Sequence, residues 1–410
     1  MPRLPVIVGL VAAAVLAAAA QFIGGMPAVP PDFTLRQRCP PGFERTGAGI
    51  CRLRTLYEFY DSRGGRGVGG TRTALPPHRD GFTPAQIDLG RYLFFDPLLS
   101  GDGTLSCASC HRPDRGLADG RPHSIGIHGA DAGRAAPTLW NVAFLERFFW
   151  DARAPSLEAQ ALGPLYSVRE MGNTRPKLLA DLNANPTYRR LFSEAFPGEA
   201  AGLIGEAELV TALAAFQTTL VSLNSRYDRY VHGFEAALTP REIEGLNVFR
   251  SFVARCSECH TPPLFTNGQI AVIGAPEPPG RAFDVGAEAT LGSPKLKGGF
   301  KVPTLRNIAR TAPYMHSGAL SDLRDAVEFY NKGRGHAVPK DMQLYLHWHI
   351  TDPQLTDTEI DRVVDFLGAL TDETFLPEVP KVVPSGLAPI DHPRRVAAAG
   401  AKLMRRGDPR

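Results

Sequence analysis

Apolar side chains recur at helical spacing in four stretches of the chain. Ile243, Leu246, Phe249 and Val253 fall three and four residues apart, the repeat of one face of an α-helix. The residues before them, Leu238-Thr239-Pro240-Arg241-Glu242, read as a helix start, with Thr239 at the N-cap, Pro240 in the first turn and Glu242 closing a capping box. Phe82-Thr83-Pro84-Ala85-Gln86-Ile87 opens an earlier helix in the same way, with Gln86 in the reciprocal position. Two further helices are predicted, over 206–221 and from Thr356 through Glu359, Ile360, Val363, Val364, Phe366 and Leu367, the latter with its own capping box. A capped helix, a long loop-rich stretch and a closing helix thus occur twice. Few stretches alternate apolar and polar residues as strands do. The prediction is a mainly α fold of two domains with long ordered loops, 74–235 and 236–375, flanked by an extension (21–73) and a tail (376–410).

Composition narrows the setting. The 410 residues are 43% hydrophobic and 21% charged with a net charge of +3, so nothing electrostatic argues for a nucleic-acid partner. Arg3 precedes an apolar run over 4–20 that ends in Ala18-Ala19-Ala20, the layout of a secretory signal peptide over 1–20. The alternative is an uncleaved membrane anchor, because 4–26 is long enough to span a bilayer. Both readings put the protein outside the cytoplasm. Residues 63–70 are Gly- and Arg-rich and read as a flexible linker, and the basic, Ala-rich stretch 394–410 is assigned no function.

The six cysteines divide by spacing. Cys107-Ala108-Ser109-Cys110-His111 and Cys256-Ser257-Glu258-Cys259-His260 each follow one of the Thr-Pro helices. Two cysteines three apart can each form a thioether to one haem edge, and the adjacent histidine then reaches the iron. This predicts two covalent c-type haems with His111 and His260 as proximal ligands. A single motif could instead be half a zinc site or a redox-active pair; two copies in an exported chain fit haem far better. Cys39 and Cys51 remain, in a Pro- and Gly-containing segment too short for its own core. A disulfide there would stabilise the loop by about 3 kcal/mol, and export permits it.

Around these motifs lie further residues: Ala-Pro-Thr-Leu-Trp-Asn at 136–141, Phe149-Trp150-Asp151-Ala152-Arg153, Gln160, Gly163-Pro164 and Glu170-Met171-Gly172. The second half adds Val302-Pro303-Thr304-Leu305-Arg306-Asn307 and Thr311-Ala312-Pro313-Tyr314-Met315-His316. Over 83–370 this pattern resembles the bacterial di-haem cytochrome c peroxidase and MauG family. The resemblance implies that Trp150 lies between the haems as an electron route, and that Gln160 and Glu170 stand over the N-terminal haem. That pair also makes chemical sense alone. Heterolytic cleavage of peroxide needs a group that takes a proton from one oxygen and returns it to the other, which a carboxylate can do, beside a group that holds the oxygen species, which an amide can do.

The sixth position at the second haem separates the family's members. Residues 323–333, where the donor-fed peroxidases carry a methionine, contain none here, and Tyr330 falls at the ligand position as in MauG. A thioether raises the potential, whereas a phenolate favours oxidised iron and makes the haem a store for an oxidising equivalent. The alternative has Met342 or His347 reaching the iron. At the first haem, His128 or His123 is the candidate to close the sixth position, against a plain loop role beside Gly126 and Gly129. The family's calcium between the haems would take the carbonyls of Thr311 and Pro313, but its usual asparagine is Ala135 here. His316-Ser317-Gly318 replaces the usual His-Asp-Gly. MauG's tryptophan before the second motif is Ala254, leaving Phe249, Phe252 and Tyr314 as candidates for an outward path. His347 and His349 read as packing or surface residues rather than a metal pair.

The resulting expectation is a periplasmic enzyme of MauG type that uses hydrogen peroxide to store oxidising equivalents on two haems and oxidise a partner protein. The alternatives are a cytochrome c peroxidase fed by a small cytochrome or cupredoxin, and a non-enzymatic di-haem electron-transfer cytochrome. A membrane contact is expected only if the N-terminal segment is retained.

Overall fold

The computed structural model describes residues 32–59, 73–198, 203–333 and 335–390; the expected signal segment 1–20, the linker 63–70 and the stretch 394–410 lie outside the described residues. Strands β1 (Phe43–Arg45) and β2 (Cys51–Leu53) form an antiparallel ribbon with Phe43 opposite Leu53. Then come α1 (Leu56–Phe59), α2 (Pro84–Phe95), α3 (Cys107–Cys110), α4 (Leu157–Tyr166), α5 (Arg175–Ala184), α6 (Pro186–Ala195), α7 (Glu206–Gln217) and α8 (Arg226–Val231). The second half holds α9 (Pro240–Phe249), α10 (Cys256–Cys259), β3 (Ile270–Val272), α11 (Ala287–Leu291), β4 (Gly299–Lys301), α12 (Leu323–Asn331) and α13 (Asp357–Gly368). The chain is mainly helical, as expected, with β3 and β4 in a second short antiparallel ribbon.

The three capping boxes form. Thr83 accepts from Gln86 N–H while the Gln86 side chain accepts from Thr83 N–H, and Thr239 with Glu242 and Thr356 with Glu359 repeat the arrangement. The predicted helix over 206–221 stops at Gln217. The hydroxyls of Thr218 and Thr219 donate back to the carbonyls of Ala215 and Phe216, satisfying groups at the helix end so that the chain can turn.

Each half is built on one pair of crossing helices, α2 with α7 and α9 with α13. A glycine sits at each crossing. A Cβ on Gly90 would stand 1.8 Å from the carbonyl oxygen of Ala212, and one on Gly245 would stand 1.8 Å from that of Arg362. Four residues along the partner helix, Phe216 or Phe366 fills the space beside the crossing. Phe94, Phe95 and Phe216 cluster in the first half; Tyr227, Phe249, Phe265 and Phe366 cluster in the second, where all four are at most 2% exposed. Each such buried aromatic contributes roughly 2–3 kcal/mol through removal of apolar surface from water.

The extension and tail are tied into this frame. Cys39 and Cys51 form the expected disulfide, and Cys51 packs with Phe82, Ile87 and Ala215. Tyr57 enters the second core, where its hydroxyl donates to Asp228. Asp228 also receives the fully buried Arg306 guanidinium, at 2.5 and 2.7 Å. From the tail, the Ser385 hydroxyl donates to Asp96 at 2.6 Å and Val383 is buried. Among the described residues no helix is long and apolar enough to cross a membrane.

Candidate active site: two cavities with a common wall

Two cavities open beside the Cys-x-x-Cys-His turns. The first, of about 530 Å³, is lined by Cys107, Cys110, His111, Gln160, Glu170, Arg153 and Trp150. The second, of about 230 Å³, is lined by Cys256, Cys259, His260, Tyr330, Met315, His349 and Trp150. Trp150 therefore stands on both, together with Ala135, Ala136, Pro137, Thr138, Lys301 and Pro303.

The donor groups fit haem in both places. His111 Nδ1–H donates to the carbonyl of Leu117 at 3.0 Å, and His260 Nδ1–H to that of Phe265 at 3.1 Å, which leaves each Nε2 free to hold iron. Burial lowers the basicity of both imidazoles, that of His260 to about 4, so the neutral ligand form prevails. Burial also pushes the Cys107, Cys110 and Cys256 thiols up to about 12, the opposite of what a redox-active pair requires. Lys301 adds a third sign. Its ammonium is pushed down to about 8 by burial on the common wall, and no carboxylate among the described residues pairs with it. Haem brings carboxylates of its own. Lys301 went unremarked in the sequence, although it directly precedes the Val302–Asn307 motif.

Local chain geometry sets the distal groups of the first cavity. Gln160 lies on α4, whose internal Pro164 has no N–H for the Gln160 carbonyl four residues earlier. Glu170 follows the turn in which its N–H donates to Ser167 O at 3.0 Å, and its carbonyl accepts from Ile127 N–H at 2.7 Å. Gly126 makes that clamp feasible, since a Cβ there would lie 2.0 Å from the Arg169 carbonyl oxygen. Burial raises the Glu170 carboxyl above its ordinary range, against the pull of Arg153, the Ser167 hydroxyl and Arg169. Arg153 is itself held over the Phe149 ring at 3.4 Å and bonded to Asp151. Neither histidine offered as a closing ligand lines this cavity. The His128 side chain is 76% exposed beside Asp102, and His123 is bonded to Asp131 at 3.0 Å.

The second cavity holds Tyr330 on α12 and excludes Met342 and His347 from its wall. It also holds Met315, named in the sequence only as part of a motif, and His349, read there as a packing or surface residue. Thr311, Pro313, Phe249, Tyr314 and Ala254 line it as well, whereas Phe252 is 79% exposed. His347 and His349 approach Cys259, with their ligand atoms all within 4.8 Å, a contact that no local pattern could announce. A cysteine held as a haem thioether has no thiolate left for another metal, so this group stays a packing contact.

Behind the wall, the Trp150 indole N–H donates to Ala135 O at 2.9 Å. His316 lies edge-on to Trp150, stacks on Phe300 at 3.7 Å and is bonded to Glu277 at 2.8 Å. Arg134 pairs with both Asp151 and Asp284.

Comparison with known proteins agrees with this construction. Residues 84–236 match the family model described as di-haem cytochrome c peroxidase. The methylamine utilization protein MauG of Methylorubrum extorquens is 34% identical over 307 residues, covering 74% of this chain and 84% of the relative. Cytochrome c551 peroxidase of Nitrosomonas europaea is 33% identical over 313 residues, covering 74% and 86%. Among solved structures, a MauG-like protein associated with microbial copper homeostasis superposes with a TM-score of 0.66 at 32% identity, over 74% of this chain and 95% of that one.

Proposed function

Because the chain belongs to the di-haem cytochrome c peroxidase family, a family of oxidoreductases with two haem c groups that act on hydrogen peroxide, we propose that it is an oxidase of MauG type that works in the periplasm on a partner protein. The observation that carries this reading is Tyr330 on the wall of the His260 cavity, which neither Met342 nor His347 lines. When bound, the haems supply the iron at which peroxide is cleaved and its oxidising equivalents are kept. Cys107, Cys110 and His111 hold the first haem, and Cys256, Cys259, His260 and Tyr330 the second. Gln160 orients the peroxide by its amide, and Glu170 takes a proton from the near oxygen and returns it to the departing one. A carboxyl raised by burial suits both halves of that transfer. Trp150 carries electrons across the common wall. For calcium the chain offers the carbonyls of Thr311 and Pro313 and no side-chain oxygen at Ala135. That set is incomplete for a cation that takes about six to eight oxygens, and calcium is left out of the proposal.

Met315 favours a second reading. Its thioether lines the same cavity, and as the iron ligand it would suit a peroxidase fed by a small cytochrome. A plain electron-transfer cytochrome is disfavoured because it leaves Gln160 and Glu170 idle. One experiment separates the three. Stoichiometric peroxide added to the diferric protein should give a long-lived oxidised state by optical and EPR spectroscopy without prior reduction. Activity only after half-reduction would give the second reading, and no reaction the third. Tyr330→Phe should abolish the low-spin signal of the second haem; an unaltered signal sinks the ligand assignment.

A further inference from the structure

The segment after α12 reaches the second cavity from outside. The backbone N–H of His347 donates to Val272 O at 2.8 Å, which fastens 347–350 to strand β3. His349 N–H donates to His347 Nδ1 at 3.3 Å, and Ile350 N–H to His347 O at 2.9 Å, so the turn is fixed by its own bonds. Held this way, His349 and Ile350 line the second cavity. The His349 ring has a nitrogen within 4.8 Å of Cys259 Sγ, the atom that joins the haem edge to the chain. Its Nδ1 is buried without a hydrogen-bond partner among the described residues. The ring also meets the Trp348 indole, with centroids 3.6 Å apart at 59°. Trp348 is 65% exposed.

These contacts form an unbroken line from a haem thioether through one imidazole to an indole in water. No other exposed tryptophan is found among the described residues, since Trp140 is 1% exposed and Trp150 lines the interior wall. Indole is the side chain with the most extended π system to present to a donor. The other aromatic residues near this cavity do not complete such a line. Phe249 is 2% exposed and Tyr314 is 7% exposed, and Phe252 is exposed but lies off the cavity wall.

We propose that Trp348 is the surface residue through which electrons enter the second haem site, taken one at a time from an oxidisable aromatic side chain of a partner protein docked over it. This rests on the peroxidase reading above. The oxidant is hydrogen peroxide, and each peroxide takes up two electrons and two protons to give two waters. For each electron, Trp348 loses one electron inward past His349, and its indole N–H proton leaves to water. The donor side chain then returns an electron to Trp348, which regains its proton. His349 stays unoxidised and serves as the contact between the two.

The test uses the full-length diferric holoprotein and stoichiometric peroxide with a nitroso spin trap, followed by digestion and peptide mass spectrometry. The trap adduct is expected on the peptide containing Trp348. It should vanish in Trp348→Phe and persist at that position in Trp348→Tyr, which remains oxidisable. With ferrocyanide as reductant, Trp348→Phe should slow turnover by about tenfold, roughly 1.4 kcal/mol of barrier, and Trp348→Tyr should restore it. The optical reaction of the haems with peroxide should be the same in all three proteins. A normal peroxide reaction with the adduct elsewhere, or with Trp348→Phe turning over at the parental rate, overturns this proposal alone. No peroxide reaction in the parent protein overturns it together with the peroxidase reading.

Discussion

Glu170 sits under opposed influences: burial disfavours its charge, while Arg153, Ser167 and Arg169 favour it, and burial prevails. Two consequences follow for this residue. Peroxide cleavage should depend on a group titrating above the ordinary carboxylate range, with the rate falling as pH drops through it. Glu170→Gln should remove that limb and slow the step by about 10²–10⁴-fold, while the diferric spectra stay unchanged. The linkage sign gives a second readout. A carboxyl whose folded pKa is raised contributes stability below its unfolded pKa, and this is lost as pH rises through the folded value. Glu170→Gln should therefore melt at or above the parental temperature near neutral pH, and a lower melting temperature there would count against the burial argument. That Glu170 would stand by the first Cys-x-x-Cys-His motif was legible in the sequence because it occupies a motif position. Its tuning was not, because Arg153 and the Gly126 close approach come from chain segments tens of residues away or folded back by turns.

At the scale of elements, the paired helices explain why the two halves read alike. The capping boxes at Thr83, Thr239 and Thr356 are local, so three- and four-residue patterns announced them correctly. The crossings are not local. Nothing within α2 or α9 marks Gly90 and Gly245; their role shows only with α7 and α13 in place against them. Gly90→Ala and Gly245→Ala should each cost about 1–3 kcal/mol in denaturant unfolding, since a methyl group has nowhere to go without separating the helices. A loss of a few tenths of a kcal/mol, no more than backbone propensity would produce, would show that the crossings are looser than drawn. Helices α4 and α5 were missed because their apolar faces are narrow and each is short, so tertiary packing defines them more than periodicity does. Helix α6 buries Tyr188, Leu191, Phe192 and Ala195 at helical spacing, a pattern present in the sequence but not drawn from it.

Over the whole molecule, the extension is a strap. Its disulfide closes the ribbon against Phe82 and Ile87, and Tyr57 reaches the buried Arg306–Asp228 pair in the second core. Cys39→Ser with Cys51→Ser should lower stability by about 2–4 kcal/mol in chemical denaturation while leaving the haem spectra intact. A shift in the spectra would mean the strap shapes the cavities directly. The cysteine count made the disulfide legible, but nothing in the spacing disclosed that Tyr57 would be a core residue of the second half.

The wall shared by the cavities, with Trp150 and Lys301 upon it, bears on how the molecule handles charge. Two redox centres on either side of one layer of residues share a field. An electron placed on one would make the next harder to place on the other, while a cation between them would lower the cost of each electron without altering their mutual repulsion. Two haems so placed would titrate with macroscopic potentials that belong to the pair and to neither haem alone. The filling of that pair is a property of the partition, and any change to that layer, even one far from either iron, alters both steps together.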